Sequence, residues 1–384
     1  MIRFEHVTKT YRQGDVVRDV NLEIRDGELV VLAGPSGCGK TTTLKMINQL
    51  IRPSGGRILI DGRDIAELDA VRLRRGIGYV IQKTGLFPHM TVKENIEIVL
   101  RMQGIGEPER ERKVSEMLRV VHMDPDRYLY RYPAQLSGGQ QQRVGVARAF
   151  AGDPKIILMD EPFSALDPIT RSRLQAEVAF LQKKLKKTIV FVTHEMDEAV
   201  RLADRICIIY NGRIAQYDTP ETILKHPADG FIANFVGKGR IWDTPRFIRV
   251  GDIMIRCPVS CAPEASLADC GKLLRESRSS AVAVTDSDRR ILGIVRASDV
   301  WNREDPDEPV RKIMTEDFSK ASPDQTLPEI LRVVLDRRSD FVPVEDGRNK
   351  LVGLITEENL LCALSRKFLG KGEKEAGRDD DVSC

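Results

Sequence analysis

The stretch Gly34-Pro35-Ser36-Gly37-Cys38-Gly39-Lys40-Thr41-Thr42 decides how the first part of this chain is read. Gly34, Gly39, Lys40 and Thr41 satisfy G-x-x-x-x-G-K-[ST], the pattern of a phosphate-binding loop. An apolar run, Leu29 to Ala33, precedes it and a helix-favouring run, Thr42 to Asn48, follows, so the loop falls at a strand-to-helix turn. Glycines let successive backbone N–H groups converge on an anion, and the helix start adds unpaired donors and the positive end of its dipole. Lys40 then brings a charge to the β- and γ-phosphates and Thr41 a hydroxyl to Mg2+. With the strand and the helix on either side, an ordinary glycine-rich turn is the poorer reading.

Three more apolar runs end in polar residues that fit the same chemistry. Gly78-Tyr79-Val80-Ile81 reads as a strand that delivers Gln82, which is polar punctuation in most settings and a Mg2+ ligand and water-orienting group in a nucleotide site. Lys155 to Met159 leads into Asp160-Glu161, two acids at the carboxyl end of a buried strand, where parallel sheets bind their ligands. Asp160 is placed to hold Mg2+ through water, and Glu161 to take the proton of an attacking water. Thr188 to Thr193 delivers His194 in the same way, as a γ-phosphate contact. Leu136-Ser137-Gly138-Gly139-Gln140 opens a helix from Gln141 to Ala151; Ser137 and the Gly138 and Gly139 amides are then either a second anion site or a plain N-cap. Tyr11 is either a surface tyrosine or a face on which adenine stacks. Gly85 to Val92 is an apolar loop of little charge, core or docking surface, and Lys93 to Met123 has a helical period with Val114, Met117, Leu118 and Val121 on one face.

The bulk properties set limits on class. A length of 384 residues suggests two or three domains, and 41% hydrophobic with 30% charged residues describes an ordinary globular protein with ample core. Sixty basic against 57 acidic residues leave a net charge of +3, so no bulk attraction to nucleic acid is implied. The start Met1-Ile2-Arg3-Phe4-Glu5 is not that of a secretory leader, and no run approaches a membrane span, so the chain is expected neither to be exported nor to cross a membrane by itself. Cysteines at 38, 207, 257, 261, 270, 362 and 384 form no C-x-x-C pair and read as reduced thiols, without a zinc site.

In order along the chain, the phosphate loop, Gln82, Leu136 to Gln140, the Ile156-to-Glu161 strand, Ser164-Ala165-Leu166-Asp167 and His194 resemble the motif series of ABC transporter ATPase subunits. The resemblance covers about residues 1 to 237, including Tyr210 to Ile214, which is similar to that family's late hairpin. It implies an α/β P-loop ATPase domain with an inserted helical subdomain. ATP would be bound by Tyr11, the whole loop Gly34 to Thr42, Gln82 and Asp160, with Thr41, Gln82 and Asp160 around Mg2+. Catalysis would fall to Glu161, His194, Lys40 and Gln82. Two copies would face each other head to tail, Ser137, Gly138, Gly139 and Gln140 of one closing over the ATP of the other, with no arginine finger.

Beyond a linker, 238–250, the chain repeats itself at an offset of 60: Ile253-Met254 recurs at Ile313-Met314, Pro263 to Leu267 at Pro323 to Leu327, and Leu292-Gly293-Ile294-Val295 at Val352-Gly353-Leu354-Ile355. Each unit reads as a helix, a hydrophobic strand (Ala281 to Val284; Phe341 to Val344), an acidic turn and a second strand. The two units, 251–308 and 309–366, resemble a tandem pair of CBS domains (α+β). That family's nucleotide pattern Gly-x-x-[ST]-x-x-Asp is split between them: Gly293, Arg296 and Asp299 in one, Gly353, Thr356 and Asn359 in the other. A regulatory nucleotide is one candidate ligand. Arginines at 275, 278, 289, 290, 296, 332, 337 and 338 read either as solubilising surface or as an anion-responsive face, screened over about 8 to 10 Å by physiological salt. A polar, acidic tail, 367–384, is expected to be disordered.

An ABC ATPase joined to a CBS pair is the arrangement of importers for osmoprotectant quaternary amines: glycine betaine, carnitine, choline, proline betaine. The resemblance implies a subunit that pairs with itself, docks integral membrane permease subunits through the Gln82-to-Val92 region, and meets a substrate-binding protein only indirectly. It would sit peripherally on the cytoplasmic face of the membrane and bind no nucleic acid. An importer of another solute, a polyamine or amino acid, and a soluble ABC ATPase remain open; a nucleotide-sensing module with a dead ATPase is opposed by the intact Glu161 and His194.

Overall fold

The computed structural model describes residues 1–369 except 83–84, 165, 238–239, 257, 278 and 338. It divides into two compact units, Met1–Val236 and Gly237–Cys384. The first holds β1 (Ile2–Tyr11), β2 (Gly14–Ile24), β3 (Leu29–Ala33), α1 (Lys40–Ile47), β4 (Gly55–Ile60), β5 (Arg63–Asp64), α2 (Ala70–Arg75) and β6 (Ile77–Val80). Four helices follow, α3 (Val92–Met102), α4 (Glu107–Val120), α5 (Pro125–Tyr128) and α6 (Gly138–Ala151). The unit closes with β7 (Ile156–Asp160), α7 (Pro168–Leu185), β8 (Thr188–Val192), α8 (Met196–Leu202), β9 (Arg205–Tyr210), β10 (Arg213–Asp218), α9 (Pro220–Lys225) and α10 (Gly230–Val236).

A six-stranded sheet in the order β10-β9-β3-β8-β7-β6 carries the site, parallel throughout except for the β9–β10 hairpin. Every residue of β3, β7 and β8 is buried, as their unbroken apolar runs require of strands covered on both faces. A separate antiparallel sheet, β2-β1-β4-β5, packs its apolar face into the same core. The fold is thus a P-loop α/β domain with helices α3 to α6 inserted between β6 and β7. The helical period from Lys93 to Met123 is two helices rather than one, because Gly104 turns the chain at positive φ after Gln103 and Gly106 caps α4.

The second unit repeats one α+β element twice: α11 (Val250–Ile253), β11 (Ile255–Arg256), β12 (Ser260–Cys261), α12 (Leu267–Ser277), β13 (Ala281–Thr285), β14 (Ile291–Arg296) and α13 (Ala297–Trp301), then α14 (Leu327–Arg337), β15 (Phe341–Glu345), β16 (Leu351–Thr356) and α15 (Glu357–Leu369). The repeats exchange their opening segments. Ile255 pairs with Leu354 of the second repeat, and Thr315 pairs with Ile294 of the first. Gly293 and Gly353 permit these crossings: a Cβ on either would lie 2.9 Å from the Thr315 carbonyl or 2.3 Å from Met254 Sδ. Ala281, Ile294, Phe341 and Leu354 form a shared core between the repeats. The described part of the stretch read as a linker is structured, because Ile241, Trp242 and Ile248 bury apolar surface on the core of the second repeat. Helix α15 runs to Leu369, three residues into the segment assigned to the tail, and the rest of that tail lies outside the described residues. No helix among the described residues is long and apolar enough to cross a membrane.

Candidate active site

The carboxyl ends of β3, β6, β7 and β8 point the same way and deliver the residues singled out from the sequence. After β3 the loop turns through Gly34 (φ 148°), Gly37 (φ 78°) and Gly39 (φ 103°). Glycine is required at two of these: a Cβ on Gly34 would stand 2.2 Å from the Ile209 carbonyl oxygen, and one on Gly39 2.6 Å from that of Val16. The result is a cradle in which backbone takes the place of side chains. Lys40, 6% exposed, donates from Nζ to the carbonyl oxygens of Gly34 (2.8 Å) and Pro35 (2.7 Å). Cys38 Sγ lies 3.8 Å from the same ammonium, yet burial outweighs that charge and pushes the thiol above its ordinary range.

Next to Lys40 in the first turn of α1, the Thr41 hydroxyl donates to Asp160 Oδ1 at 2.8 Å, and Lys45 Nζ stands 3.9 Å from Oδ2. Next to Asp160, Glu161 has φ 45°, a left-handed backbone that a glutamate adopts at a cost of about 1–3 kcal/mol. The bend is held by its own N–H donating to Val192 O (3.1 Å) and by the Ser164 hydroxyl donating to its carbonyl (3.0 Å). It turns the carboxylate toward Gln82, whose Nε2 donates to Oε2 at 2.8 Å, and His194, whose Nδ1 is 3.3 Å from Oε1. Lys40, Thr41, Asp160, Glu161, Gln82 and His194 are therefore assembled at one edge of one sheet.

Two predicted elements have no side-chain hydrogen bond to this assembly among the described residues. Ser137 caps α6: its Oγ accepts from the Gln140 N–H (3.3 Å) while Gln140 Oε1 accepts from the Ser137 N–H (3.0 Å). Among the described residues, Ser137, Gly138, Gly139 and Gln140 make no hydrogen bond to residues 34–42, and Ser137 and Gly138 are exposed. Tyr11 ends β1 with its ring 44% exposed and the Lys9 ammonium 5.0 Å from the ring centre.

Sequence reading missed the braces around His194. Arg171 of α7 donates from Nη1 to both oxygens of Glu195 (2.8 and 2.9 Å) and from Nη2 to the Leu166 carbonyl (3.2 Å). Buried Glu198 accepts from the Thr193 hydroxyl (2.6 Å) and from Gln175 Nε2 (3.0 Å), and its burial raises its pKa. The acids at one and four residues past His194 were visible, but Arg171 and Gln175, which tie them to α7, lie more than twenty residues away along the chain.

A groove of about 450 Å³ opens on the apolar loop that follows Gln82, walled by Val71, Tyr79, Phe87, Val99, Met102 and Arg148. Buried Asn95 organises the loop, its amide donating to the carbonyls of Phe87, Met90 and Thr91 while its oxygen accepts from the Phe87 N–H. In the second unit a cavity of about 650 Å³ between the repeats is lined by Ser279, Ser280, Thr356, Asp340, Glu357 and Glu358, among others. The Thr356 hydroxyl there donates to Asn359 Oδ1 at 2.7 Å. Arg337 pairs with Asp317 (2.9 Å) and Arg275 lies 5.0 Å over the Trp301 ring, so part of the expected basic face is partnered internally; Arg278 and Arg338 lie outside the described residues.

Residues 17–164 match the ABC transporter family model, and 250–300 and 310–366 match the CBS domain model. The chain is 46% identical over 379 residues to the choline transport ATP-binding protein OpuBA of Bacillus subtilis (strain 168), spanning 98% of this chain and 99% of that protein. This chain belongs to the ATP-binding subunits of ABC transporters. The ABC subunit is also 45% identical over 377 residues to the glycine betaine/carnitine/choline transport ATP-binding protein OpuCA of the same organism, covering 98% of this chain and 99% of that one. A solved dimer of the ATP-binding cassette MJ0796, bound to ADP and Pi, superposes with a TM-score of 0.53 at 36% identity over 57% of this chain and 99% of its own. The ABC subunit accordingly binds ATP and is an ATPase.

Proposed function

We propose that this ABC subunit powers import of quaternary-amine osmoprotectants, with hydrolysis at the carboxyl edge of its sheet. The observation that carries the catalytic part is the convergence of Gln82 and His194 on the Glu161 carboxylate. Glu161, oriented by both, accepts the proton of the attacking water. Lys40 leaves the loop carbonyls for the β- and γ-phosphates, and the Gly34–Gly39 cradle gives those phosphates backbone donors. The residues present fit Mg2+: a hydroxyl and a carboxylate already in contact (Thr41, Asp160) and an amide oxygen on Gln82 would hold it. When bound, Mg2+ would supply positive charge to offset that of the phosphates. A second copy, head to tail, supplies Ser137, Gly138, Gly139 and Gln140, whose exposed helix start, with no hydrogen bond to its own loop among the described residues, suits service in trans.

The groove beside Phe87 is the docking surface for the membrane permease, which holds the subunit peripherally on the cytoplasmic face; a substrate-binding protein meets the permease and not this chain. The CBS pair regulates, and the acidic lining of its cavity disfavours a polyphosphate there. The substrate class is supported by the match over nearly the whole chain, CBS pair included, to relatives named for choline, carnitine and glycine betaine. The test is ATP turnover by the subunit with its permease and binding protein in liposomes, across a salt series and with residues 245–384 present or deleted. Stimulation by choline, carnitine or glycine betaine, but not by a polyamine or methionine, is expected. Turnover indifferent to all three amines removes the osmoprotectant reading and leaves the ATPase intact.

A further inference from the structure

Tyr79 has a hydroxyl that the mechanism above does not use. It lies in β6 opposite Leu158 of β7, on the face of the sheet that carries Asp160 two residues later. It packs against the core cluster that includes Leu44, Ile47 and Leu158, and it forms part of the groove wall. The hydroxyl is buried and has no hydrogen-bond partner among the described residues. Burial first, and the negative charge of Asp160 second, hold the phenol far above its ordinary range, so it is a proton donor at any physiological pH. A buried hydroxyl without a partner is costly, and phenylalanine would fill the same apolar space.

The Asp160 carboxylate offers the matching acceptor. Its Oδ1 takes the Thr41 hydroxyl, whereas among the described residues the nearest cation to Oδ2 is Lys45 Nζ at 3.9 Å, beyond direct hydrogen bonding and within the span of a bridging water. Tyr79, Lys45 and Oδ2 together give a water three polar partners, two of them, the Tyr79 hydroxyl and the Asp160 carboxylate, buried. We propose that Tyr79 is a positioning residue for Asp160, its phenol donating through one water shared with Lys45 to Oδ2 and so fixing the carboxylate at the Mg2+ end of the site. Because the same ring walls the groove, the residue joins the permease-docking surface to Asp160.

The inference rests on the Mg2+ reading given above, and the test separates the two. The full-length chain and its Tyr79→Phe variant, which keeps the ring and loses the hydroxyl, are titrated with a fluorescent non-hydrolysable ATP analogue, first in EDTA and then across Mg2+ concentrations, with thermal unfolding measured alongside. The half-saturating Mg2+ concentration is expected to rise about three- to tenfold in the variant, with affinity in EDTA unchanged to within about twofold and the unfolding temperature kept. An unmoved Mg2+ midpoint overturns the role of Tyr79, and so does an equal loss of affinity with and without Mg2+, which marks a packing effect. A wild-type chain whose nucleotide binding ignores Mg2+ overturns the metal reading itself.

Discussion

At the scale of single residues, the site depends on backbone as much as on side chains. Gly34 and Gly39 cannot carry a Cβ without meeting a carbonyl oxygen, and Glu161 reaches Gln82 and His194 from a left-handed bend. Cys38 shows how local burial decides reactivity. It is 7% exposed and its thiol pKa is raised, so the thiolate that attacks an alkylating agent is scarce at neutral pH. Alkylation by N-ethylmaleimide is therefore expected to be slow at pH 7, to accelerate roughly tenfold per pH unit below the thiol pKa, and to abolish ATP turnover as it proceeds. Bound ATP should protect, and a Cys38→Ser chain should be indifferent to the reagent. Rapid, pH-independent inactivation would show that the loop opens enough to expose the thiol.

At the scale of elements, two braces hold the polar loops to the sheet. Glu198 ties the end of β8 to α7 through Thr193 and Gln175. Its folded pKa lies above the ordinary 4.5, chiefly through burial, so its contribution to stability is complete below about 4.5 and is lost as pH rises through the raised value. Glu198→Gln removes that loss. The unfolding midpoint of the variant should gain on the wild type as pH rises above about 4.5, and a constant difference through that rise would refute the assignment. Asn95 does the same service for the proposed docking loop with four hydrogen bonds. Asn95→Ala leaves those backbone groups unpaired, at an expected cost of about 1–3 kcal/mol in chemical unfolding, and should weaken capture of the permease while ATP affinity stays as it was.

These elements also show where sequence is informative. The strands ending at Ala33, Asp160 and Val192 were legible because a buried parallel strand demands an unbroken apolar run, and each run stops at the residue it delivers. The 60-residue offset gave the two CBS repeats and their helices and strands. What stayed hidden depends on contacts distant in sequence or on dihedral angles that residue type does not determine. Arg171 meets Glu195 across 24 residues, Glu161 has no glycine to announce its positive φ, and the exchange of Ile255 and Thr315 between the repeats follows from close packing at Gly353 and Gly293. The apolar residues at 241, 242 and 248 outweighed the Gly-Lys-Gly-Arg run that had suggested a linker.

At the scale of the whole molecule, the proposed function makes the site on one chain half of a working unit. The loop, Gln82, Asp160, Glu161 and His194 are gathered together, while the capped start of α6 faces away into solvent. The claim that a second copy completes the site is tested most directly by mixing two inactive chains, Lys40→Ala and Gly139→Asp, with the permease and measuring ATP turnover. In a head-to-tail pair formed by one chain of each kind, both defects fall in the same composite site, and the other composite site is wild type throughout. The mixture is predicted to recover ATP turnover that neither variant shows alone. A mixture as inactive as its two components would mean that each chain builds its site from its own α6, and would contradict the account.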